Sequence, residues 1–137
     1  MTEKQNNHYL GRTLMTYFNK QNVSFCVANA IKYVARCEHK NQFESDLKKA
    51  LDYLLHAQSM YDSGYSLPQV LGNMNRNATD MRESMREYDY QKQMLKSEEM
   101  QQVLKSLFLL NDYNGLRFSI ALLKSEMHAL GIKVGSE

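Results

Sequence analysis

Polar and aromatic side chains that could bind phosphate share one face of a helix predicted near residue 30. They recur at intervals of three and four residues, the spacing that brings side chains together on a helix: Asn29, Lys32, Tyr33 and Arg36. Two cations beside an amide and a phenol can hold the phosphate of a nucleotide or of another phosphorylated ligand. This basic helical face is the first candidate for a ligand-binding site.

A second set with the same kind of spacing lies on the next predicted helix: Asp46, Lys49 and Tyr53. If the two helices form a hairpin, their polar faces meet along one edge and the three cations of the combined set surround Asp46. This edge has two interpretations. It is a ligand-binding site, or it is an Arg–Asp salt bridge that ties the hairpin together, with lysines at the surface and half-buried tyrosine rings.

Three carboxylates form an acidic ladder at helical spacing on a later segment: Asp80, Glu83 and Glu87. All-helical nucleotide pyrophosphatases hold magnesium with such an arrangement, so Mg²⁺ is the one cofactor that the sequence suggests. The opposing interpretation is a solvated helix of mixed charge, in which Arg82 and Arg86 form local ion pairs with these acids.

The same segment carries a thin apolar stripe formed by Met81, Met85 and Tyr88. Five of the nine methionines of the chain lie between Met74 and Met100. Methionine is flexible and polarizable, so the stripe is either an adaptable protein-binding surface or part of a loosely packed core.

The sequence contains none of the motifs that identify common catalytic or metal sites. Its six glycines form neither a phosphate loop nor a dinucleotide fingerprint, and GxSxG, HExxH and CxxC motifs are absent. Cys37 and His39 alone are an incomplete zinc ligand set. We therefore assign no catalytic residue and expect binding rather than catalysis. An enzyme built on this chain would be similar to a nucleotide kinase or would hydrolyse nucleotides.

The spacing of apolar residues predicts an all-α fold, a compact bundle of five or six helices in one domain over residues 1–137. Capping signals mark three helix starts: Asn22, Asn41 with Glu44, and Ser66 with Gln69. The helical segments and the short turn of helix after residue 66 are predicted at about residues 9–20, 23–38, 41–63, 66–72, 78–97, 103–110 and 116–130.

Composition excludes several classes of protein. The chain is 43% hydrophobic and has a net charge of +2, which argues against disorder and does not favour binding to nucleic acid. No apolar run is long enough for a membrane span or a signal peptide, so we expect a soluble protein of the cytoplasm without a membrane partner. Cys26 and Cys37 are too far apart along one helix to form a disulfide. The amphipathic helices are compatible with self-association, but no stoichiometry follows from the sequence.

The N-terminal half resembles the SaV-like bacteriophage family, which is shared with the C-terminal domain of a short-tailed coliphage nucleotide kinase. The resemblance covers about residues 8–57 and rests on His8-Tyr9, on Asn29 to Tyr33 with Arg36, and on Asp46 to Ala50 with Tyr53-Leu54. The resemblance implies a phage origin, a helical hairpin within residues 8–63, and a polar site formed by Asn29, Lys32, Arg36, Asp46 and Lys49. Residues 65–137 match no pattern that we identify.

Two functional hypotheses follow. The first is a phage or prophage accessory protein that binds a nucleotide or phosphorylated ligand on the basic helical face in the bacterial cytoplasm. The alternative is a non-enzymatic inhibitor that binds a host protein, such as a CRISPR or other defence effector, through the methionine stripe.

Overall fold

The computed structural model describes residues 3–39 and 42–134, and these segments confirm an all-α fold. They form seven α-helices, with no strand between them, and one turn of 3₁₀ helix at Lys92–Met94. The count exceeds the predicted five or six because the single turn after Ser66 is a separate helix. The helices are α1 Glu3–Gln21, α2 Phe25–Arg36, α3 Phe43–Asp62, α4 Leu67–Leu71, α5 Ala78–Gln91, α6 Glu98–Phe108 and α7 Tyr113–Ala129.

The core lies where α2, α3, α6 and α7 pack together. α2 packs mainly on α3 and also on α6, while α7 covers both α3 and α6. The predicted apolar stripes point inward: Ile31 and Leu54, for example, are completely buried. Tyr61, near the end of α3, lies at the surface and stacks on Tyr113 of α7 with 4.2 Å between ring centroids.

α1 is held differently from the other long helices. Its main packing partner is α5, which lies more than 50 residues away in the sequence. Leu14 and Tyr17 of α1 are buried, and the Tyr17 ring packs edge-on against Phe108 of α6 at a centroid distance of 5.3 Å. α1 therefore packs mainly on α5 and not on α2, its neighbour in sequence.

The turn between α1 and α2 corrects one predicted helix start. Ser24, and not Asn22, caps α2, because its side chain accepts a hydrogen bond from the Val27 amide. Asn22 instead has φ +50°, a left-handed conformation that Asn tolerates and that ends α1. A β-carbon on Gly72 would collide with the Asn22 carbonyl oxygen, so this turn packs against the backbone after α4.

The other helix starts follow the capping chemistry with small shifts. The predicted Ser66 and Gln69 capping box is present at α4. Asn41 lies outside the described residues, and Gln42 in the capping position of α3 makes no side-chain cap. α5 ends at Gln91 rather than near 97, because Ser97 caps a new helix and α6 begins five residues earlier than predicted.

Asn75 anchors a buried hydrogen-bond network between α1, α5 and the end of α6. Its Nδ2 donates to the carbonyls of Phe108 and Leu110 at 2.7 and 2.9 Å, and its Oδ1 accepts from the Ser84 hydroxyl at 2.6 Å. The backbone N–H of Asn75 donates to Gln21 Oε1 at 3.0 Å. The Tyr17 hydroxyl completes the network by bonding to Ser84 at 2.8 Å. Burial of this phenol raises the pKa of Tyr17.

We expect Asn75→Ala to lower the free energy of unfolding by about 3 kcal/mol, because it leaves buried polar partners unpaired and places Ala at φ +56°. Asn73→Ala is the matched control, since Asn73 is exposed two residues away. Denaturant unfolding followed by circular dichroism measures both variants. Equal stability of the two would contradict the anchoring role of Asn75.

Both cysteines are free thiols with different exposure. Cys37 is completely buried after α2, whereas Cys26 is half-buried near its start. Burial raises the pKa of both thiols, and the carboxylates of Glu38 and Asp46 raise that of Cys37 further. The reactive thiolate is therefore scarce at neutral pH, most of all at Cys37.

We expect iodoacetamide at pH 7.5 to alkylate Cys26 slowly in the native protein and to reach Cys37 only after unfolding. Peptide mass spectrometry with and without denaturant distinguishes the two sites. The Cys26→Ser variant isolates Cys37, and its rapid native alkylation would show that the end of α2 is open.

Candidate functional site

The α2–α3 hairpin brings five of the seven predicted ligand-binding residues to one edge, here called the α2–α3 face: Tyr33, Arg36, Asp46, Lys49 and Tyr53. The rings of Tyr33 and Tyr53 stack with 6.0 Å between centroids and an angle of 14°. Arg36 Cζ lies 4.6 Å from the centroid of the Tyr33 ring, and Lys49 Nζ lies 5.5 Å from it. One phenol ring therefore organises two cations through cation–π contacts.

Asp46 lies beneath this face as a buried carboxylate. Its side chain is 1% exposed, and its Oδ2 is 3.8 Å from Arg36 Nε. Neither carboxylate oxygen nor this nitrogen has a hydrogen-bond partner among the residues that the structure describes. The pair is thus a close ion pair without hydrogen bonds. Since a buried carboxylate is costly when unpaired, Asp46 holds Arg36 at the face.

The salt-bridge interpretation of the hairpin is consistent with this geometry, but the contact does not exclude a ligand. Arg36 keeps about a third of its side chain exposed, and Lys49 is exposed. Both cations are therefore available at the surface above Asp46. A phosphate near them would lie close to two positive charges and to the stacked rings of Tyr33 and Tyr53.

Asn29 and Lys32 do not join the α2–α3 face. The Asn29 amide nitrogen donates to the Phe25 carbonyl at 2.9 Å. Both residues line a groove between α1 and α2, on the side of α2 turned away from α3. Helical spacing predicts that the four polar residues of α2 lie on one side of the helix. In the structure, Asn29 and Lys32 lie next to α1, whereas Tyr33 and Arg36 lie next to α3.

The acidic ladder on α5 is divided among separate partners. Asp80 pairs with Arg76 at 3.2 Å, and Glu83 pairs with Lys20 of α1 at the same distance. Glu87 accepts hydrogen bonds from Thr13 and Gln91, each at 2.8 Å. In the described part of the chain no three metal-ligating side chains come together. The ladder therefore links α5 to α1, and its geometry does not favour a magnesium site.

The arginines interleaved with the ladder also differ from the predicted pattern. Arg82 donates to the Thr79 hydroxyl at 3.2 Å, and Arg86 borders a cleft between α1 and α5. This α1–α5 cleft of about 510 Å³ carries Arg12, Lys20 and Tyr90 as well. Sequence reasoning missed it because its walls come from helices far apart in the chain.

The methionine stripe points largely into the protein. Tyr88 is 5% exposed, and Met85 packs against the core. Only Met81 reaches the surface. The core interpretation accounts for most of this stripe, and the geometry gives little surface for a partner there.

Residues 4–55 are similar to a protein family of unknown function, DUF3310. This segment contains nearly all of α1, all of α2 and most of α3, and it includes every residue of the α2–α3 face. No curated protein and no solved structure matches the chain. No helix in the described ranges combines the length and apolarity required to cross a membrane.

We expect Arg36→Ala to lower the free energy of unfolding by about 2 kcal/mol, because it leaves the Asp46 carboxylate buried and unpaired. This loss of unfolding free energy is smaller than the loss expected for a fully buried ion pair, because Arg36 is partly exposed. The double variant Arg36→Ala/Asp46→Ala should be more stable than Arg36→Ala alone. Urea unfolding of the full double-mutant cycle measures the coupling, and purely additive losses would argue against the pair.

Proposed function

We propose that the protein binds a nucleotide or another phosphorylated ligand at the α2–α3 face. The observation that carries this proposal is the Tyr33 ring, which contacts Arg36 and Lys49 and stacks on Tyr53. A half-buried tyrosine pair offers a surface on which a base can stack. The two cations beside it supply charge for the phosphate.

Electrostatics also favour an anionic ligand. Each cation is held in place by the face itself, Arg36 by Asp46 and both by the Tyr33 ring, so little side-chain freedom remains to be lost on binding. The buried Asp46 carboxylate compensates one positive charge only. The exposed Lys49 ammonium then gives the surface a net attraction for phosphate.

We further propose that the protein is a phage or prophage accessory protein acting in the bacterial cytoplasm. The support is the sequence pattern shared with the SaV-like bacteriophage family, which runs through the residues of the α2–α3 face. The face offers binding groups, and we assign none of them a catalytic role. Binding without turnover, including sequestration of a nucleotide signal, is therefore the activity that we propose.

We expect Lys49→Ala to remove most of the thermal stabilisation that a bound nucleotide gives. A ligand at one hundred times its dissociation constant stabilises the folded state by about 2.7 kcal/mol. The screen uses nucleoside mono-, di- and triphosphates and cyclic oligonucleotides, each with and without Mg²⁺. Calorimetry then measures the dissociation constant of any ligand that raises the melting temperature.

The adjacent Lys48→Ala is the matched control, because Lys48 is also exposed on α3 but pairs with Glu44 at 3.7 Å. It should bind like the wild type. Equal losses of nucleotide-dependent stabilisation in Lys49→Ala and Lys48→Ala would indicate a nonspecific charge effect. No stabilisation of the wild type by any nucleotide would overturn the proposed function.

A further inference from the structure

The groove between α1 and α2 is a second surface whose shape suggests a ligand. The α1 wall has the i, i+3, i+4, i+7 spacing of a helix face and consists of Gly11, Leu14, Met15 and Phe18. Ala28, Asn29 and Lys32 form the α2 wall. The groove encloses about 500 Å³. It exists because α1 packs on α5 while α2 packs on α3 and α6.

Large apolar side chains are exposed along this groove. Met15 of the α1 wall is 62% exposed. Phe18 of the same wall is half-buried against the core. Scattered exposed apolar residues are common, but a contiguous set that lines a concave surface is typical of a binding site.

The charge of the groove has one sign. Arg12 lies on the α1 wall and Lys32 on the α2 wall, and none of the lining residues that the structure describes is acidic. The α1–α5 cleft on the other side of α1 is different, because Glu83 and Glu87 line it together with its cations. A partner for the α1–α2 groove therefore needs an apolar face with acidic residues on its flanks.

Gly11 opens the α1 wall. Apart from the backbone of α1, a β-carbon built at this position meets no described atom within 4 Å, so the missing side chain leaves space on this wall. Gly is also a weak helix former in the interior of a helix such as α1. A small residue flanked by Leu14 and Met15 gives an incoming apolar side chain a place to insert.

We propose that the α1–α2 groove binds an acidic amphipathic helix of a protein partner. The groove fits a helix laid along α1, with its apolar residues on Leu14, Met15 and Phe18 and its acids near Arg12 and Lys32. A flat bilayer surface fits this concave groove poorly. The groove is separate from the α2–α3 face and does not depend on nucleotide binding.

The test uses a fluorescein-labelled helical peptide with leucines at i, i+3, i+4 and i+7 and glutamates beside them. A matched peptide carries lysines in place of the glutamates. We expect fluorescence anisotropy to show that the glutamate peptide binds the wild-type protein at least tenfold more tightly than the lysine peptide. The groove-filling variant Gly11→Leu should weaken binding of the glutamate peptide by at least tenfold.

Gly11→Leu should fold with a melting temperature no lower than that of the wild type, because the added side chain enters free space and favours the helix. Ala121→Leu, at an exposed position of α7, is the matched control and should bind the peptide normally. Lys49→Ala should also bind the peptide normally, which separates this surface from the nucleotide site.

Three results would overturn the proposal: equal binding of both peptides, wild-type affinity in Gly11→Leu, or binding to anionic lipid vesicles without binding to the glutamate peptide. The last would assign the groove to a membrane surface.

Discussion

Asn75 holds a left-handed turn and donates hydrogen bonds to the buried carbonyls at the end of α6, and the arrangement of α1 and α5 depends on these hydrogen bonds. The last carbonyls of a helix have no partner within the helix, so a buried helix end requires donors from elsewhere. The Asn75 side chain provides them for Phe108 and Leu110. Its remaining groups reach Gln21 and Ser84, which fixes the end of α1 and the middle of α5 around the same point.

This anchoring explains both surfaces that we describe. Because Gln21 and Tyr17 direct α1 toward α5, α2 is free to pack on α3 and α6, and the α1–α2 groove remains open. The outer edge of α2 then carries Tyr33 and Arg36 next to α3 rather than next to α1. Two neighbouring sides of α2 thus differ in chemistry. One carries Ala28, Asn29 and Lys32, and the other carries Tyr33 and Arg36.

The sequence predicted the helices because apolar periodicity is a local signal that burial preserves. Ile31 and Leu54 lie where the stripes place them. What the sequence could not predict are contacts set by distant segments, such as the hydrogen bond between Tyr17 and Ser84, 67 residues apart. The candidate site shows the same limit. The pairing of Arg36 with Asp46 follows from a hairpin, whereas the separation of Lys32 from Tyr33 depends on where α1 lies.

The dependence of α1 on α5 also has a consequence for the protein while it is being made. The ribosome completes α1 roughly 70 residues before it completes α5, which corresponds to about 4–14 s at ordinary rates of synthesis. During this interval α5 does not yet cover the apolar side chains of Leu14 and Tyr17. The hydrogen bond from Gln21 to the Asp80 carbonyl of α5 is also missing. The nascent chain therefore exposes the apolar face of α1 until α5 has been synthesised.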